Sequence, residues 1–397
     1  MKISYLVNYL DPQMSPFCDA LYELTDHSFQ LLQTEAFPDR LIQNHHEDLS
    51  TRPYIHDISS SGDRKAKAAR MIQDSDILLS GHSEEQFFDL CVSSGIPTFR
   101  LSQLIYRHFD IYHIPLKWKV SYYLKHTLRL KNKPVYMLCM GTYTSQDYSL
   151  THSYDGKRYN FAELPPVQSF EIDELLKEKS LNPITILWSG KMEAYRDPMI
   201  AISLSQKLIK DHIPFHMELV GDGSLFEQIR EKIADDKLDS AITLIQDRSE
   251  ETMREHMKHS SIYLLTGSLH EGWGEEVNYA MNLGNAVIVS HLSGASAMID
   301  HGKNGVLFEQ GNLENLEKNV RVLIKNRDLC RSLGRNAYHF VTEKYTGKIA
   351  AERFLRLAES ILKNEPSPYA EGLCAPASVI TYEDMKKITR KELTPEQ

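Results

Sequence analysis

Three short stretches of this chain place charged side chains and glycines where chemistry on an anion could be done. The first, SGKMEAYRD, follows the apolar run ITILWSG and carries Gly190, Lys191 and Arg196 in a short loop. Two cations at the end of a buried strand can grip a diphosphate, whereas a pair of solvated surface charges needs no partner at all. The second stretch, VGDGSL, has Gly221 and Gly223 for a tight strand-to-helix turn and Ser224 as a candidate cap. The third, EGWGEEVNYAMNLGNAVIVS, sets Glu271 ahead of Gly272, Trp273 and Gly274, and then Glu275, Glu276 and Tyr279. Its glycines let backbone approach a ligand, and the amides of the helix that follows favour an anion or a polar sugar. Val277, Ala280 and Met281 fall at i, i+3 and i+4 and are expected to face the core, leaving Tyr279 on another side.

The elements that must position these loops alternate. From residue 184 onward, buried strands (ITILWSG, FHMELVG, AITLIQD, SIYLLTG, AVIVSHL) take turns with helical patterns, which predicts a parallel sheet with crossover helices. The first half repeats this grammar in KISYLVNYL, SFQLLQTEAF, SDILLSG, PTFRLS and PVYMLCMG. The reading is α/β, with two Rossmann-like halves and a boundary near FAELPPVQSFEIDELL, where a Pro-Pro pair breaks the pattern. The segments from 366 onward, with Pro366, Pro368 and Pro376, read as a mobile or loosely attached tail.

A chain of 397 residues can bury two cores, and a ligand between two domains is then expected. The formal charge of -9 argues against a protein devoted to nucleic acid. Cys18, Cys91, Cys139, Cys330 and Cys374 are scattered, without disulfide or zinc spacing, which fits a reducing cytoplasm. No apolar stretch reaches the roughly 20 residues of a spanning helix, and MKISYLVNYLD reads as a first buried strand rather than a leader.

Taken in order, the three loops resemble the family-4 glycosyltransferases of the GT-B fold. Members carry a basic G-R-x4-K loop, a G-D-G turn, and E-G-F-G with a second Glu eight residues after the first, then A-M and a G-x-x-V-I strand. Here these become Gly190-Lys191 with Arg196, Gly221-Asp222-Gly223, Glu271-Gly272-Trp273-Gly274, Ala280-Met281, and Gly284 before AVIVS, over roughly residues 184 to 345. The first half, notably NKPVYMLCMGTYTSQDYSL, is similar to bacterial surface-polysaccharide members. The resemblance implies two Rossmann-like parallel-sheet domains facing across a cleft: 1–165 for the acceptor, 166–348 for the donor, a helix at 349–365 returning to the first domain, and the tail. It also implies that Lys191 and Arg196 hold the donor diphosphate, that Glu271 and the amides near Trp273, Gly274 and Glu275 hold the transferred sugar, and that position 279 faces the ribose.

This chain departs from the pattern in two ways. Lysine precedes arginine in the basic pair, which keeps the charge and changes the fork geometry. Tyr279 replaces the ribose-binding glutamate, so a phenol with one donor stands where a carboxylate would accept two hydroxyls, with Glu275 and Glu276 nearby but out of helical phase. The first half offers NYLDPQMSPF in place of a glycine-rich loop, which makes Asp11 and Gln13 cleft candidates, joined by Arg100 and Ser102 at the end of PTFRLS.

Other signals are weaker. Asp74-Ser75-Asp76 spells a metal tag of a different glycosyltransferase fold, at the wrong end of a strand, and His45-His46-Glu47-Asp48 reads as a polar loop rather than a metal site. His82 and His113 are unassigned. Between Arg100 and Lys133, cations alternate with aromatics against Asp110 alone, a pattern suited to an anionic membrane surface or a lipid-diphosphate acceptor, or to a helix with a solvated basic face.

The expectation is therefore a retaining glycosyltransferase that needs no metal or other cofactor. It moves a sugar from a nucleotide diphosphate, UDP before GDP, to a glycan or lipid-linked acceptor in bacterial surface polysaccharide synthesis. It does so in the cytoplasm, peripherally at the inner face of the membrane. A non-catalytic GT-B protein that binds a glycan or a partner, and a nucleotide-sugar epimerase, are the alternatives; chromatography of donor alone and nucleotide titration separate them.

Overall fold

The structure, a computed structural model, describes residues 1–38, 49–105, 114–179, 183–247 and 249–393. The chain divides into two compact units, Met1–Pro166 with Tyr345–Val379, and Val167–Lys344 with Ile380–Gln397.

Unit 1 is built on a seven-stranded parallel sheet: β1 (Ile3–Val7), β2 (Phe29–Gln33), β3 (Ile55–Asp57), β4 (Ile77–Ser80), β5 (Thr98–Ser102), β6 (Val135–Met140) and β7 (Arg158–Phe161), in the order β3-β2-β1-β4-β5-β6-β7. Unit 2 has six parallel strands: β8 (Ile184–Lys191), β9 (Phe215–Asp222), β10 (Ile242–Ile245), β11 (Ile262–Leu265), β12 (Ala286–Ser290) and β13 (Val306–Phe308), in the order β10-β9-β8-β11-β12-β13. Helices covering both faces explain why β11 and β12 are buried along their whole length and read as unbroken apolar runs. The covering helices show the complementary period, as in Phe226–Asp235, where Phe226, Ile229 and Ile233 are buried.

The helix Gly347–Leu362 belongs to unit 1 because of how it packs there. A Cβ on Gly347 would lie 2.3 Å from the backbone of Pro16, so only glycine admits the helix Ser15–Leu24 this closely. Phe354 then meets Phe17 and Phe99 edge to face, with centroids 5.8 and 5.0 Å apart.

The stretch expected to be a loose tail is attached. Cys374 N donates to Asn160 O at 2.8 Å, Asn160 N donates to Ala375 O at 2.9 Å, and Leu373, Cys374 and Ala375 are buried, so the strand edge at β7 is covered. Further on, the helix Tyr382–Ile388 fixes itself to unit 2 through buried Met385, a Lys386–Glu309 ion pair of 2.6 Å and a bond from Asn315 to Thr389 O. The five cysteines are buried free thiols. Among the described residues no helix is long and apolar enough to cross a membrane.

Candidate active site

In a doubly wound sheet, ligands sit beyond the carboxyl ends of the strands where the strand order reverses. In unit 2 that point lies between β8 and β11, and the basic loop and the EGWG loop leave those two strands.

The basic loop is braced from one side by the GDG turn. Met192 N donates to Asp222 O and Leu225 N donates to Met192 O, at 3.0 and 2.9 Å. A Cβ on Gly223 would stand 2.7 to 2.9 Å from the Met192 backbone, so the two loops touch only because position 223 is glycine. Ser224, expected to cap the helix, instead donates through N and Oγ to the Glu193 carboxylate at 3.2 and 2.6 Å, and lowers its pKa. The GDG turn is thus a support for the basic loop.

From the other side the loop is held by the core. Trp188 Nε1 donates to Thr266 Oγ1 at 2.8 Å, and Thr266 Oγ1 donates to Arg196 O at 2.6 Å. Asp197 follows in the left-handed conformation, φ 48°, and burial pushes its carboxyl up to about 6. These contacts fix where the Arg196 side chain starts.

Its guanidinium then bridges two carboxylates. Nη2 lies 2.6 Å from Glu271 Oε1 and Nη1 lies 2.7 Å from Glu276 Oε1. The Glu271 side chain has 0% exposure and Arg196 only 12%. Glycines make room: a Cβ on Gly190 would meet Arg196 Nη1 at 2.0 Å, and one on Gly267 would meet Glu271 Oε2 at 2.5 Å. Glu271 Oε2, Glu276 Oε2 and Arg196 Nε are buried without a hydrogen-bond partner. A buried group of one cation and two carboxylates with orphaned acceptors is costly unless a ligand uses it. Burial pushes the Glu271 carboxyl up, Arg196 opposes this, and Glu276 adds to it. Burial disfavours charge on Arg196, but Glu276 and Glu271 outweigh it and hold its pKa above the ordinary value.

Lys191 contrasts with Arg196. Its ammonium, exposed at the end of β8, makes no ion pair or hydrogen bond among the described residues, although its charge helps to lower the pKa of Glu193. Of the two cations expected to act together, one is free and one is engaged.

The EGWG loop is anchored from within. Gly294 N and Ala295 N donate to Gly272 O and Trp273 O at 2.8 and 2.7 Å, and Ser293 Oγ donates to Trp273 O. The Trp273 indole is buried and donates to Asn278 Oδ1 at 2.8 Å, so this side chain serves the loop's own packing. Gly272 and Gly274 take φ of 78° and 87°. Glu275 follows as the N-cap of the helix Glu276–Asn282, without a side-chain cap.

That helix is buried on every side, which corrects the expectation of a core face with Tyr279 elsewhere. Tyr279 is buried beneath Arg254, whose guanidinium carbon lies 4.8 Å from the ring centre. Arg254 Nη1 pairs with Glu250 at 2.9 Å, while Nη2 is buried without a partner. The sequence reading did not single out Arg254, Thr266 or Trp188; in ETMREHMKH nothing marks one cation from another.

In unit 1 the candidates stand at carboxyl ends of strands with local partners. Asp11 accepts from Gln13 N at 2.9 Å and caps the turn Pro12–Met14. Arg100 lies over the Phe88 ring at 4.3 Å, with Nη1 3.4 Å from His126 Nδ1, and Ser102 Oγ meets Tyr148 OH at 2.9 Å. Asp76 accepts from Lys2 N at the amino end of β4, and the His82 carbonyl accepts from Asn8 N. His113 and His45 to Asp48 lie outside the described residues. Among the described residues no group of three or more candidate metal ligands occurs.

The family model "Glycosyl transferases group 1" matches residues 171–340. An uncharacterized glycosyltransferase of Methanocaldococcus jannaschii is 25% identical over 51% of this chain and 52% of its own. The poly(ribitol-phosphate) alpha-N-acetylglucosaminyltransferase of Staphylococcus aureus is 24% identical over 41% of this chain and 32% of its own. The chain thus spans about half the length of these curated relatives or less. The fold matches the crystal structure of Anabaena HepE in complex with UDP and glucose, with a TM-score of 0.63 at 14% identity, covering 91% of this chain and 100% of that one. The loops that hold Lys191, Arg196 and Glu271 all fall inside the matched segment, so residues 171–340 match the group 1 glycosyltransferases, family 4, and the fold of the chain is GT-B.

Proposed function

We propose that the chain transfers a sugar, with retention at the anomeric carbon, from a UDP-sugar to a glycan or lipid-linked acceptor in bacterial surface polysaccharide synthesis, with a GDP-sugar as the next candidate. The observation that carries this reading is the buried Arg196–Glu271–Glu276 group beside exposed Lys191 at the switch point of unit 2. Support comes from the neighbours: HepE was solved with UDP and glucose, and the staphylococcal relative is named for N-acetylglucosaminyl transfer.

In this reading Lys191 meets the diphosphate first, and the diphosphate then competes with Glu271 and Glu276 for Arg196. Each bond from Arg196 to phosphate frees a carboxylate oxygen for a sugar hydroxyl. The anomeric C–O bond to the β-phosphate breaks, the acceptor oxygen bonds to the same carbon from the same face, and the acceptor proton passes to the departing phosphate oxygen. No separate base and no metal are required, because the cations meet the leaving-group charge. Removing one such contact typically costs about 3 kcal/mol of transition-state stabilisation, on the order of a hundredfold in rate. Residues 1–165 serve the acceptor in this scheme, with Asp11, Gln13, Arg100 and Ser102 as its weaker candidates. The enzyme works in the cytoplasm, held peripherally at the inner face of the membrane.

Calorimetric titration of UDP, GDP and ADP into wild type and Lys191→Ala tests the reading. UDP alone should bind, with at least tenfold loss in the variant. Binding of none of the three would favour a non-catalytic partner protein, and conversion of a UDP-sugar without acceptor would favour an epimerase.

A further inference from the structure

The helix Leu116–Tyr122 continues into a wider π-helical stretch, Tyr123–Leu128, and the polarity of this element is inverted. A surface helix ordinarily buries an apolar stripe and shows polar groups to water. Here the inward side is polar. Thr127 Oγ1 donates to Thr151 O at 2.6 Å, buried His126 contacts Tyr154 OH at 3.2 Å, Lys125 pairs with Glu85 at 2.8 Å, and Arg129 pairs with Glu85 and Asp89. The outward side is apolar, with Leu116, Trp118, Val120, Tyr123, Leu124 and Leu128 between 41% and 75% exposed. Leu116, Val120, Leu124 and Leu128 recur every fourth residue and form one stripe, with large side chains at each step. Scattered exposed leucines need no explanation, but a contiguous run on one element does.

Charge identifies what covers it. From Ile114 to Lys133 the chain carries Lys117, Lys119, Lys125, Arg129, Lys131 and Lys133 and no acidic residue, within a chain of net charge -9. Lys117, Lys131 and Lys133 are exposed around the stripe. A second copy is a poor occupant, since a two-fold contact through this face would set its cations against one another. We infer that residues 116–128 form a face that docks on a lipid bilayer carrying anionic headgroups, the leucine stripe entering the acyl boundary while the lysines meet the headgroup charge. The inference gives residues to the peripheral placement proposed above. Vesicle binding is read without nucleotide or acceptor, so either reading can fail alone.

The test is co-sedimentation of the whole chain with vesicles of phosphatidylcholine alone or with a third of phosphatidylglycerol, at low and high salt. Wild type should bind the anionic vesicles far better than the neutral ones and lose binding as salt rises. Lys117→Glu with Lys119→Glu should weaken binding on the order of twenty-fivefold or more, at about fivefold per lysine charge lost. Leu124→Ser with Leu128→Ser should weaken it at least on the order of tenfold. All four side chains point outward or lie at the edge, so thermal melting and UDP titration should match wild type and show that the fold is kept. Absence of binding to anionic vesicles, equal binding to neutral ones, or variants that bind like wild type would each overturn the proposal. So would a wild-type dimer in sedimentation velocity that the serine variant loses, because a second copy would then cover the face.

Discussion

The two units share one winding, with β1 and β4 in unit 1 standing where β8 and β11 stand in unit 2, yet they spend that shared point differently. Past β8 and β11 the chain buries an arginine between two glutamates and leaves acceptor atoms unsatisfied. Past β4 it has Gly81, where a Cβ would meet Tyr5 OH at 2.7 Å, and Tyr5 is a buried phenol in β1 whose pKa burial drives up. One switch point stores charge and the other is closed by an aromatic side chain. Topology therefore supplies a place for chemistry, and only the side chains at the strand ends decide whether chemistry is done there.

The largest expected effect breaks this contrast at its centre. Arg196→Leu leaves two buried carboxylates facing each other without a cation, and unit 2 should lose roughly 3 to 5 kcal/mol of stability together with nucleotide binding. Urea denaturation followed by Trp188 and Trp273 fluorescence measures it. A loss below about 1 kcal/mol would show that the carboxylates are already neutral or solvated, and the stored-charge description would be wrong.

Lys191→Ala comes next and should separate the two cations. Because the Lys191 ammonium is exposed and makes no ion pair or hydrogen bond among the described residues, its removal should leave the urea midpoint nearly unchanged while weakening UDP by at least tenfold, about 1.4 kcal/mol. A shifted midpoint with intact affinity would reverse the roles given to the pair.

Unit 1 carries a buried charge-sensitive group of another kind. Burial, then Arg100 and Lys125, drive the His126 imidazole down to about 3 from an ordinary 6.5, so the folded unit holds it neutral. Between those values the unfolded chain binds more protons than the folded one. Stability that is full above pH 6.5 is thus lost as pH falls toward 3. The acid slope of urea stability over that window should be shallower in His126→Gln than in wild type; parallel slopes would mean that the imidazole is solvated.

What the sequence made legible follows the same division. The alternation of apolar runs and helical periods fixes both sheets, because strands covered on two faces must be apolar throughout. The EGWG and GDG signatures located the loops of unit 2. Spacing could not reveal that Arg196 turns to Glu276 as well as Glu271, since that depends on Thr266, just past β11 and distant in the chain, which accepts from Trp188 and holds the Arg196 backbone. Ser224 was assigned a cap by its type, and Glu193, from another loop, claims it. The tail looked loose because proline and charge suggest disorder, whereas an open edge at β7 was there to be paired.

The smallest effect concerns Tyr279, where the chain leaves the family pattern. Its ring is buried under Arg254, a contact worth about 1 kcal/mol when partly desolvated, and phenylalanine preserves the ring. Tyr279→Phe should therefore keep the ring contact, while Arg254→Ala should lower stability in urea by roughly 1 kcal/mol. Losing the hydroxyl alone should cost one hydrogen bond to the nucleotide, on the order of 1 kcal/mol or fivefold in UDP affinity. If Tyr279→Phe binds UDP as wild type does and Arg254→Ala does not, the guanidinium with its unpartnered Nη2 has taken over the task of the missing glutamate, and the phenol serves only to hold it.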